Sequence, residues 1–332
     1  MRNAPAPQST PSDEAGTLDP AVAAPAVVAS ETAVAAALPK ATISADTVTA
    51  VGDRTRGLRR GIAYALMISY ALLMFVPFVW TFITSVKTRQ DALRLEFIPD
   101  PFSTAGWEYM FSELEPNIVT LFTNSAVLAA AVTVSNLALG ALGGYAFARL
   151  RFPGREILFL AVLATLMIPD QLRLVPVYVL FNSFGLTRDI GQYVAVFLVL
   201  AISATSIFLL RQYFLSIPKD LEEAARIDGA GFFTTFSRVM LPLATPALAA
   251  VTILQFQGTW NAFFWPVIFL TPNPEHYTLP IGLLFFRESG GFSTNWPPLM
   301  AVVVVATIPI LILYIFFQRF FVEGVAASGV KG

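Results

Sequence analysis

Gln255, Gln257, Trp260 and Asn261 place three amides and one indole along about two turns of a helix. That set can hold a polyhydroxylated ligand, the amides bonding hydroxyls while the aromatic face stacks on a ring. Inside an apolar helix the same groups also bond neighbouring helices to each other, and residue type alone leaves both uses open. Asp170 and Arg173 stand three apart, so they can pair on one helix face, as a structural ion pair or as part of a gate. Other chemistry is thinly supplied. Without cysteine there is no thiolate nucleophile, thiolate metal site or disulfide. The one histidine, His276, falls in a polar proline-containing stretch and reads as a solvated loop residue. A phosphate cradle needs Gly-Lys-Ser/Thr, and none of Lys40, Lys87, Lys219 and Lys331 follows a glycine. No grouping of nucleophile, base and metal ligands supports catalysis within the chain.

The elements that must position these residues are membrane spans. The sequence is 56% apolar and only 13% charged, where a soluble domain carries about a quarter charged residues. The net charge of −1 gives no footing for nucleic acid. Six long apolar runs are expected to be transmembrane helices, at 61–85, 118–147, from about 156 to 181, 190–210, 243–270 and 299–317. Residues 1–57, rich in Ala, Pro, Ser and Thr, are expected to form a disordered cytoplasmic tail, and 58–332 the membrane domain. Arg54, Arg56, Arg59 and Arg60 precede the first run, and Arg149, Arg151, Arg155, Arg211, Lys219, Arg226 and Arg238 fall in later loops on that same side. This bias predicts cytoplasmic N- and C-termini. All runs but the third lack ionisable residues in their interiors, which argues against a proton- or ion-coupled carrier. Energy for active transport would then have to arrive from another subunit.

A contact surface for such a subunit is legible between the fourth and fifth runs, at about 217–242. Pro218 favours an extended approach, and Asp220 followed by Glu223 has capping-box spacing. Leu221, Ala224, Ala225 and Ile227 fill a short helix, and Gly229 allows a sharp exit. So short a helix is unstable alone and is expected to dock in a partner's groove.

Glu223-Ala224-Ala225, Gly229 six residues after Glu223, and Leu241-Pro242 resemble the EAA loop of ABC importer permeases. Further matches extend over nearly all of 61–332: Gly144-Tyr-Ala-Phe-Ala-Arg-Leu-Arg-Phe-Pro-Gly154, Trp260-Asn-Ala-Phe-Phe-Trp-Pro266 and Phe316-Phe-Gln-Arg-Phe-Phe-Val-Glu-Gly324. They are similar to the smaller permease of the maltose-type, carbohydrate-uptake class. The resemblance implies an all-α, type I importer fold of six transmembrane helices in a bacterial inner membrane. It implies a sugar substrate, a second permease subunit, two ATP-binding subunits and an extracytoplasmic sugar-binding protein. Coupling to the ATPase would fall to Asp220, Glu222, Glu223, Ala224, Ala225 and Gly229. ATP and Mg would be used by the partner subunits, with no cofactor bound directly here. The loop Thr271–Pro298, with Arg287, Glu288 and Gly290-Gly291, would reach toward the binding protein. ABC permeases for glycerol phosphate, polyamines or oligopeptides are alternative readings, a secondary carrier a more distant one.

Overall fold

The computed structural model describes residues 45–286 and 294–329. The chain falls into two units, 1–72 and 73–332. Of the first, the described part is helical, and all packing discussed below lies within the second. The described residues form helices and no β-strand. Four helices are long and apolar enough to cross a membrane, and two bent pairs raise the number to six if each pair is one span.

Helix α1 runs Ala45–Ser85. It begins upstream of the expected tail boundary because no proline interrupts 45–76, leaving nothing to stop the helix there. The rest of the expected tail lies outside the described residues. After the short α2, Ala105–Ser112, α3 covers Ile118–Arg149. Asn117 caps it, its side chain accepting from the Thr120 N–H at 2.9 Å.

The expected third, fourth and fifth spans are interrupted, which the apolar runs did not announce. Helices α4 (Arg155–Ala164) and α5 (Asp170–Ser183) belong to one stretch bent by 103°. Ile168, held extended before Pro169, makes the break. The fourth span divides into α6 (Gly191–Leu200) and α7 (Ala204–Ser216). In the fifth, α9 (Phe232–Leu243) meets α10 (Thr245–Trp260) at 76°, and α11 (Phe264–Leu270) follows a second gap. The last span opens α13, Trp296–Gly329, after the single turn α12, Leu279–Gly282.

Breaks free backbone groups that lipid cannot satisfy. At the fourth span, the carbonyls of Leu200 and Ala201 are caught by Asn136 Nδ2 at 2.8 Å and Ser135 Oγ at 2.7 Å, both from α3. Close approach of α3 and α7 depends on Gly140 and Gly144: a methyl group at Gly144 would lie 2.9 Å from the Arg211 backbone nitrogen. Packing is the use of this glycine pair.

His276 is not a solvated loop residue. Its Nδ1 lies 2.7 Å from the Gln192 side-chain oxygen, and its ring packs at 4.7 Å on Tyr193. Asn124 Nδ2 donates to the Glu275 and Tyr277 carbonyls at 2.8 and 2.9 Å, which ties the start of the Thr271–Pro298 loop to α3. Arg287, Glu288, Gly290 and Gly291 lie outside the described residues.

Candidate functional site

The expected coupling helix is α8, Asp220–Ile227. Its entry differs from the capping box read in the sequence. Lys219 is the N-cap, in helical geometry and without a side-chain cap bond, so Asp220 is already the first helical residue. The Lys219 carbonyl accepts from the N–H groups of Glu222 and Glu223 at 2.9 and 3.1 Å. Asp220, Glu222 and Glu223 therefore occupy the first turn, where carboxylates favour the positive end of the helix dipole. At the exit Gly229 takes φ +84°, the Ala230 N–H reaches the Ala225 carbonyl at 2.9 Å, and the Gly229 N–H reaches Arg226 at 3.0 Å. This pattern closes the last turn and needs a residue without a Cβ.

The carboxylates then separate by role. Glu223 and Asp220 face outward, with Ala224 and Gly229 exposed and Ala225 half-buried. Glu222 points inward, its side chain only 7% exposed and its Oε1 3.1 Å from Arg149 Nε. Arg149, at the end of α3, also donates from Nη2 to the Phe214 carbonyl at 2.6 Å and to that of Ile217. One guanidinium thus binds the ends of α3 and α7 to the foot of α8, with Arg226 as a more distant second cation at 3.9 Å. A buried charge in such a place is tolerable only because it is paired. Beneath α8, Tyr145 packs edge-on to Phe214 at 5.7 Å and against Phe236 at 5.1 Å.

The outer side of this assembly is apolar and open. Ile227 is 86% exposed, and Phe232 and Phe233 are 64% and 74% exposed. With Leu221 they make a water-facing apolar edge beside the acidic first turn. Sequence reasoning missed Arg149 and the Phe232-Phe233 pair. The aromatic pair directly after Gly231 was a usable signal; Arg149 gave none, because its partner lies far along the chain.

The four polar residues of the fifth span go to different faces. Gln255 is half-buried and lines a cavity of about 520 Å³ at the span breaks, together with Asp170, Arg173, Ser203 and Thr259. Gln257 and Asn261 are exposed, and Asn261 Nδ2 bonds the Gln257 carbonyl at 3.0 Å. Trp260 is in the core, 2% exposed, stacked on Phe256 at 5.7 Å and donating from Nε1 to the Ala306 carbonyl at 3.1 Å. Its face is covered by protein. Asp170 and Arg173 do pair, at the start of α5 beside its bend with α4.

A polytopic helical protein with an anchored external helix and interrupted spans has known relatives. Residues 137–326 match the model of the family described as "binding-protein-dependent transport system inner membrane component". The chain belongs to this family. The permease is 36% identical over 278 residues to the arabinooligosaccharides transport system permease protein AraQ of Halalkalibacterium halodurans, covering 82% of this chain and 97% of that one. The diacetylchitobiose uptake system permease protein NgcG of Streptomyces coelicolor is 33% identical, covering 78% and 84%. The sn-glycerol-3-phosphate transport system permease protein UgpE of Agrobacterium fabrum is 32% identical, covering 82% and 98%. In fold, the permease is similar to a chain of a bacterial ABC transporter involved in import of the acidic polysaccharide alginate, with a TM-score of 0.68 at 24% identity, covering 81% of this chain and 98% of that one. The permease is thus a membrane component of a transport system, not an enzyme.

Proposed function

We propose that this chain is the smaller of two different permease subunits in an ATP-driven carbohydrate importer of the bacterial inner membrane. A sugar-binding protein delivers cargo from outside, and two ATP-binding subunits dock from the cytoplasm, where both termini lie. ATP and Mg are used by those subunits. Closure of the ATPase pair presses on α8, and the spans alternate between outward and inward access through differential contacts in the two states.

The observation that carries this reading is the exposed α8 edge fixed to the spans by the Arg149–Glu222 pair. Asp220, Glu223, Ala224, Ala225 and Gly229 meet the ATPase, and Glu222 transmits from within. Cargo passes beside Gln255, with Gln257 and Asn261 as further candidates toward the second permease. Trp260 positions α10 from the core side. The sugar assignment is supported by the names of relatives such as AraQ and NgcG.

Liposomes holding both permeases, the ATPase and the binding protein provide the test, with labelled arabinotriose, diacetylchitobiose and glycerol 3-phosphate as cargo. ATP-dependent sugar uptake is expected, and Gly229→Asp or Glu223→Lys should uncouple ATP turnover from it. Normal sugar-stimulated turnover in both variants would remove the coupling assignment. Uptake of glycerol 3-phosphate alone would favour the second reading, which rests on the likeness to UgpE.

A further inference from the structure

Basic side chains collect around a cavity at the foot of α8 in excess of what the helix anchor uses. The cavity, about 710 Å³, is walled by Arg149, Arg151, Arg155, Lys219 and Arg226 against the carboxylates of Glu222 and Glu223. Arg149 and Arg226 share Glu222, at 3.1 and 3.9 Å. Arg155 pairs at 2.7 Å with Glu156, which also faces Arg211 at 3.3 Å. Arg151 and Lys219 are exposed, and among the described residues neither has a carboxylate within 4 Å. Like charges gathered in one wall repel, and an anion between them relieves that repulsion. The turn that carries two of these cations is fixed: Gly154 takes φ +78°, and Arg155 Nη1 donates to the Leu150 carbonyl at 3.2 Å. A second cavity of about 520 Å³ adjoins the first, sharing Arg151, Phe152 and Arg155 and continuing to Gly154 and Ile157. Past it, Ile157, Leu158 and Leu160 are exposed along the first turns of α4.

We propose that these joined cavities hold an anionic phospholipid of the inner leaflet, its phosphodiester between Arg151 and Lys219 and an acyl chain laid along Ile157 and Leu160. Cations at one end and an apolar track at the other suit an amphiphile with an anionic head. A free anion or an acidic peptide would leave the track unused. Basic pockets at the cytoplasmic ends of spans take anionic headgroups, and a guanidinium can meet two phosphate oxygens at once. The bound lipid bridges the α3–α4 turn to the start of α8. The choice of leaflet rests on the proposed cytoplasmic position of α8.

Native mass spectrometry of the complete complex, titrated with dioleoyl phosphatidylglycerol or dioleoyl phosphatidylcholine, tests this. Phosphatidylglycerol should be retained at least about tenfold more tightly. Each cation removed should weaken it about fivefold, so Arg151→Gln combined with Lys219→Gln should weaken it about 25-fold, while Arg151→Lys keeps most of the affinity. Arg238→Gln removes a cation of the same face that lines neither cavity and should change nothing. Ile157→Asn should weaken the lipid several-fold, and an unchanged affinity there overturns the acyl track. No preference for phosphatidylglycerol, the result if an acidic stretch of the ATPase fills the cavity, overturns the proposal, as does a preference that survives the double substitution. Displacement of the lipid by millimolar inorganic phosphate makes this a free-anion site and overturns it too. The chain has no cysteine, so Arg151→Cys reports its side of the membrane. Labelling of that thiol by an impermeant maleimide in spheroplasts would overturn the cytoplasmic position of α8, and the leaflet with it. Should the double variant fail to assemble, Arg151→Gln against Arg151→Lys decides.

Discussion

Glu222 shows how adjacent carboxylates on one helix come to have different neighbours. It stands beside Glu223 in a motif associated with coupling, and nothing local distinguishes the two carboxylates. The difference comes from the third dimension: helical rotation turns Glu222 toward Arg149 and leaves Glu223 in water. Removing one charge of a buried pair strands the other, typically at about 3–5 kcal/mol. Glu222→Gln is therefore expected to lower the thermal stability of the detergent-solubilised complex sharply. Combined Arg149→Met and Glu222→Leu should recover much of that loss, because an apolar pair leaves no stranded charge. An unchanged melting temperature in Glu222→Gln would show that the pair is not a structural anchor. Trp260 and His276 follow the same logic. Their types suggest a ligand face and a loop, yet an indole N–H bonded to Ala306 and an imidazole held by Gln192 make both parts of the scaffold.

At the scale of elements, length and hydropathy made the spans legible, because ~20 apolar residues have little choice but to be helical in lipid. The interruptions were not legible. Pro77, Pro176 and Pro309 lie within continuous helices, while Pro169 sits at a 103° bend, so proline alone does not tell where a span breaks. What decides is whether neighbours can satisfy the freed backbone, and those neighbours are distant in sequence. Two glycine comparisons test the packing of α3 on α7. Gly144→Ala forces a Cβ to 2.9 Å from backbone and should reduce the amount of assembled complex, whereas Gly143→Ala meets the Ile207 side chain at no less than 3.4 Å and should be accepted. Equal yields of both would contradict the close approach. At the end of α8, Gly229→Ala places a Cβ at φ +84° and is expected to strain the exit by about 1–2 kcal/mol. Sugar-stimulated ATP turnover should fall in that variant more than membrane abundance does, and a parental ratio of the two would argue against α8 as the coupling rod.

For the whole molecule, family and general architecture could be read from the chain, because both depend on apolar runs and one short motif. The cavity wall could not, since Asp170, Ser203, Gln255 and Trp265 come from separate stretches brought together only by the fold. One feature of that fold limits how the transporter can move. Asn136 and Ser135 hold carbonyls of the fourth span, Arg149 holds its far end through Phe214 and Ile217, and Arg211 Nε reaches back to the Phe147 carbonyl at 3.3 Å. Sliding these two helices apart would break all of these bonds at once and leave the Leu200 and Ala201 carbonyls unsatisfied within the span. A cross-link between cysteines introduced at Gly143 and Ile207 should accordingly leave uptake at the parental rate, and arrest of uptake by that link would show that they part during the cycle. With the two travelling as a single block, the seam that opens and shuts on each stroke would run along some other face of the bundle.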